Sequence, residues 1–92
     1  MLRITVVSEN KKTVHMRLEG WLAGENVAFL ANEAQAYRRS QQRLVLDLSG
    51  VKHIDSVGLV LLAAWSGPRL ELRGASAYLR SLLAAEGLGR AL

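Results

Sequence analysis

Four short segments of the chain alternate apolar and polar residues with a period of two. The first is Arg3-Ile4-Thr5-Val6-Val7, and Thr13-Val14-His15-Met16-Arg17-Leu18-Glu19 follows it after a polar SENKK stretch. Leu44-Val45-Leu46-Asp47-Leu48 and Arg69-Leu70-Glu71-Leu72-Arg73 repeat the pattern later. Such alternation predicts strands with one apolar and one largely polar face. The short first connection predicts an antiparallel hairpin. Elsewhere the apolar spacing changes to three and four. Ala23 to Arg39 carries Val27, Leu30, Ala31, Ala34 and Tyr37, and Ser76 to Glu86 carries Leu79, Leu82 and Leu83. Both patterns predict amphipathic helices, the second with Ser76 as N-cap and Gly87 as its stop.

The resulting order, β-β-α-β-α-β-α, contains consecutive strand–helix–strand units, whose strands should be parallel and whose crossovers should be right-handed. A sheet covered on both sides would need continuously apolar strands, and these are half polar. The expected fold is therefore α/β: a four-stranded mixed sheet with an N-terminal antiparallel hairpin, then parallel strands, and helices packed mainly on one face. At 92 residues the chain suits one domain, residues 1–92, with a single modest core.

The segment from Ser56 to Trp65 breaks the amphipathic rule. Val57, Leu59, Val60, Leu61, Leu62, Ala63, Ala64 and Trp65 make a helix that is apolar all round. Such a helix is either covered on every side or docks something. Ahead of it, Ser49-Gly50 reads as the end of a strand, Val51 to Ile54 as a crossover, and Asp55-Ser56 as the opening of the helix. Asp55 suits an N-cap, because the first backbone N–H groups of a helix lack partners. Ser56 need not be a second cap. A phosphate on its hydroxyl would meet the favourable end of the helix dipole, and Gly58 leaves room for close backbone approach.

The stretch LVLDLSGVKHIDSVGLVLL resembles the signature of STAS domains, the fold of bacterial anti-sigma-factor antagonists. There a strand ending in D-x-S-G-V leads to an I-D-S/T-x-G-L turn that opens the second helix. EGWLAGENVAFL and LRGASAYLRSLLAAEGL extend the resemblance over nearly the whole chain. It implies a STAS-like βα superhelix and a regulatory binding module that is no enzyme and has no cofactor. In sigma-regulating members the serine after the motif aspartate is phosphorylated by a partner that is both kinase and anti-sigma factor. That role falls on Ser56, with Asp55 and Gly58 forming the switch loop and helix start. The docking face then falls on Val57, Val60, Leu61 and Trp65. The implied partner is an anti-sigma factor or serine kinase; a homodimer is left open. Two features depart from the pattern. Val57 stands where the family often has a small residue, and Gly67-Pro68 ends the helix early. Within the same fold, an accessory subunit of a phospholipid-transport ABC complex, or a scaffold without a switch, are the alternatives.

Composition narrows the rest. There is no cysteine, hence neither disulfide nor thiolate zinc site. No stretch approaches transmembrane length and the N-terminus lacks a signal-peptide run, so a cytoplasmic location is the expectation. The net charge of +4 comes from scattered Lys and Arg without interleaved aromatics, which argues against direct nucleic-acid binding. His15 falls on a polar strand face, while His53 lies in the crossover within reach of Asp55. Ser56, His53 and Asp55 are too close in sequence for a catalytic relay. Neither a metal-ligand spacing nor a glycine-rich phosphate loop occurs. Trp21, just before the first helix, and Trp65, at the end of the second, read as aromatics at the edge of the core.

Overall fold

Alternation and helical spacing resolve into seven main elements in a computed structural model describing residues 1–92. They are β1 (Leu2–Glu9), β2 (Thr13–Leu22), α1 (Glu25–Arg39), β3 (Arg43–Ile54), α2 (Ser56–Ala64), β4 (Leu70–Arg73) and α3 (Ala77–Ala85). A short 3-10 turn, Gly89–Ala91, closes the chain. β1 and β2 pair antiparallel, joined by a turn in which the Asn10 side chain accepts from the N–H groups of Lys12 and Thr13. β3 adds parallel to β2, and β4 parallel to β3, giving the sheet order β1-β2-β3-β4. This is the mixed sheet that the alternation predicts.

One face of the sheet carries the core. Val14, Met16, Leu18, Leu44, Leu46, Leu48, Leu70 and Leu72 are buried there against Val27, Leu30 and Ala34 of α1, Leu62 of α2, and Leu79 and Leu83 of α3. On the other face Arg17 meets Asp47 at 3.5 Å, and Glu71 pairs with both Arg43 and Arg73. Val45 is the exception on that polar face. It is buried, set in register between His15 and Glu71, where the aliphatic parts of neighbouring charged side chains can shield it. No helix is long and apolar enough to cross a membrane.

Two boundaries differ from the expectation. β3 does not stop at Ser49-Gly50; it runs on through Ile54, so Val51–Ile54 is strand rather than crossover. Its pairing with β2 slips between Arg17 and Glu19 and again between Gly20 and Trp21. Each slip adds a residue to β3 and reverses which side chains face inward. Leu48 thereby hands the core to Val51, and Val51 to Ile54, all three buried. The first slip has a local cause in sequence. The Asp47 carboxylate accepts from the Ser49 N–H at 2.9 Å, and a Cβ on Gly50 would lie 2.8 Å from Cγ of Glu19. β2 likewise continues to Leu22, which places Trp21 inside a strand.

Candidate functional site

β2 and β3 run parallel and end side by side, with Leu22 in register with Ile54. Each then turns into a helix, and the two helix starts meet at Asp55. Its Oδ1 accepts from the Gly58 N–H at 2.9 Å, which caps α2. Its Oδ2 accepts from the Gly24 N–H at 2.9 Å, at the start of α1. Gly24 caps α1 with no side chain of its own and has φ 55°, so the carboxylate from the neighbouring crossover supplies what α1 lacks. These two N–H groups, Gly58's foremost, hold the Asp55 carboxyl below its ordinary value. The Val57 N–H and His53 add to the effect, and partial desolvation opposes it. One carboxylate therefore joins two helices that are far apart in sequence, and nothing in the sequence marks Gly24 as its second partner.

The chain closes tightly behind this latch. The Asp55 N–H donates to the Leu22 carbonyl at 3.3 Å. Gly58 is buried, and a Cβ there would stand 2.5 Å from the Leu22 carbonyl oxygen. The glycine thus lets the first turn of α2 lie directly on the end of β2.

Since Asp55 does the capping, Ser56 begins α2 with its side chain exposed. The uniformly apolar helix divides into sides. Gly58 and Leu62 face the core, Leu59, Leu61 and Ala63 are half-buried, and Val57 and Val60 are 51% and 68% exposed. Of the four residues assigned to a docking face, Val57 and Val60 lie open beside Ser56, Leu61 lies at the margin, and Trp65 does not belong to it. Trp65 is buried at the far end of α2, with the Arg38 guanidinium 4.9 Å from the centre of its ring. The exposed tryptophan is Trp21, more than half open to solvent and tilted against His53 with ring centres 5.1 Å apart. His53 is therefore a strand residue packed at a tilt against an indole, and its proximity contributes electrostatically to Asp55. The sequence reads Trp21 as an aromatic at the edge of the core because a lone aromatic before a helix carries no signal of which side it faces.

Chemically the site offers a hydroxyl, a capped helix start and apolar surface. Ser56 has no base placed to activate it, since Asp55 is committed to two backbone N–H groups.

Comparison with curated proteins yields no significant match. A family profile described as "Mlab, STAS domain" matches residues 5–92, all but the first four residues. With the mixed four-stranded sheet, the helices on one face and the Asp55-Ser56 start of α2 in place, the chain belongs to the STAS domain family.

Proposed function

We propose that this chain is a non-enzymatic regulatory module that captures a protein partner through the start of α2 and releases it when Ser56 is phosphorylated. The observation that carries this reading is the division of labour at the helix start. Asp55 satisfies the helix, so the exposed Ser56 hydroxyl has no capping role, and it sits beside the exposed Val57 and Val60. A phosphate there would bring about −1.5 to −2 charges onto an apolar contact that must be desolvated on binding. Trp21, exposed at the adjacent strand end, adds the kind of aromatic that anchors protein contacts. A partner of the anti-sigma factor or serine kinase class fits this scheme.

A second reading has its own support. The matching family profile is described by Mlab and not by an anti-sigma-factor antagonist, and α2 has only nine residues. Both favour constitutive docking, as in an accessory subunit of a phospholipid-transport ABC complex, with Ser56 never modified.

The test sets the purified chain against each protein encoded beside it. Under the switched reading a serine kinase binds with Ser56 free, Ser56→Asp weakens binding more than tenfold, or ~1.4 kcal/mol, and intact mass shows one phosphate absent from Ser56→Ala. Val60→Lys weakens binding under either reading. Equal binding of wild type and Ser56→Asp, with no phosphate on Ser56, would overturn the switch.

A further inference from the structure

The opposite end of α2, ~13 Å from Ser56 by the rise of a nine-residue helix, carries a different surface. Three adjoining depressions lie there. One is lined by Arg38, Trp65 and Arg69 around the Gly67-Pro68 turn. The next shares Arg38 and Trp65 with it and adds Arg39. The third shares Ser66, Gly67, Pro68 and Leu70 with the first and adds Arg43 and Arg90. Through these shared walls they form one groove, from the last turn of α1 across the loop after α2 to the terminal 3-10 turn.

Five arginines line this groove and no carboxylate does. The other seven basic residues of the chain are outnumbered by its eight acidic ones. The whole positive excess of the protein therefore lies at this one end. Only Arg43 of the five has an acidic partner, Glu71. The C-terminal ends of α1, α2 and α3 each contribute roughly half a negative charge, and Glu86 caps the last of them, which lowers the local positive excess without cancelling it. Arg38, moreover, is held in place by the Trp65 ring.

We propose that this groove binds an extended, acidic polypeptide segment. Planar guanidinium groups present paired donors that match carboxylates, and arginine keeps its charge at any working pH. A lipid surface would call for a flat or convex basic face, and this one is concave. Single-stranded nucleic acid would call for open aromatic faces for stacking, and the one indole here is covered by Arg38. The site is separate from the start of α2, so its occupant adds to the docking described above.

The experiment uses the full chain with Trp21→Phe, so that Trp65 is the sole indole, and a labelled decapeptide of alternating Glu and Gly. Peptide binding should shift the Trp65 emission as carboxylates gather around the Arg38 guanidinium that lies on its ring, and should weaken steeply as salt rises. Arg38→Gln with Arg69→Gln should weaken binding at least tenfold. Arg17→Gln with Arg73→Gln, an equal loss of charge on the sheet face, should change it less than twofold, and Ser56→Asp likewise. Circular dichroism establishes that each variant is folded. Equal losses in both arginine pairs would overturn the groove as a site. So would tighter binding to phosphatidylglycerol vesicles or to a 20-base-pair DNA duplex than to the peptide.

Discussion

Asp55 and Ser56 are adjacent, yet the fold gives one a structural task and leaves the other free. The carboxylate of Asp55 holds the starts of two helices, and this charge-dependent latch makes the protein sensitive to acid. Asp55, Asp47 and Glu71 all have carboxyls held below their ordinary values, by the Gly58 N–H, the Ser49 N–H and the Arg73 guanidinium respectively as the largest causes. A depressed carboxyl stabilises the fold fully above its unfolded value, and that contribution is lost as pH falls through the lower, folded one. Urea midpoints should accordingly be level from about pH 6 to 8 and decline below about pH 4. Asp55→Asn should lower the plateau and soften the acid decline; an unchanged acid limb would show that the latch does not depend on charge. Gly58 makes a second residue-scale test. Alanine favours a helix interior over glycine by about 1 kcal/mol. Here its methyl would press on the Leu22 carbonyl and, at 3.0 Å, on Ile54 Cγ2, so Gly58→Ala should destabilise the protein by ~1–3 kcal/mol. A raised urea midpoint would mean that α2 moves aside without cost.

Among the elements, α2 shows why a site can be found in sequence while its face cannot. Its apolar composition and its opening at Asp55-Ser56 were legible. Its phase was not, because a helix that is apolar all round carries no periodicity to say which side is inward. The phase is set by contacts distant in sequence, namely the Leu22 carbonyl against Gly58 and Arg38 over Trp65. This is why Trp65 looked like a docking residue and is a core one. β3 misled for a related reason: Ser49-Gly50 has the chemistry of a stop, and only the partner strand reveals it as a bulge. The two faces of the sheet, by contrast, follow directly from strict alternation, and their energetics should differ. Leu46→Ala, fully buried among core leucines, should cost ~2–5 kcal/mol. Glu71→Lys removes the partner of both Arg43 and Arg73 and sets three cations together. Its cost should stay near 1 kcal/mol, the scale of cross-strand and surface ion pairs. Equal losses in urea unfolding would contradict a one-sided sheet.

Over the whole molecule the order of strands in space repeats their order along the chain, from β1 to β4. Topology of that kind is readable from sequence, since hairpin length and right-handed crossovers leave few choices. The gathering of charge was not, because the five arginines of the groove come from α1, β3, the loop before β4 and the terminal turn, and meet only when all are folded. The sequential sheet also has a kinetic meaning. Each strand–helix unit adds to an edge already formed, so the sheet can grow from the hairpin outward and come apart in the reverse order. The final unit is held least. β4 pairs with β3 at four positions, whereas β3 pairs with β2 at nine. Native-state hydrogen exchange should therefore show β4 and α3 opening in a partial unfolding well below the global free energy. The amides shared by β2 and β3 should exchange only when the entire chain unfolds. Such an opening would dismantle the arginine groove, which β4 and the terminal turn help to wall, while leaving the Asp55 latch closed: the molecule could lose one surface and keep the other.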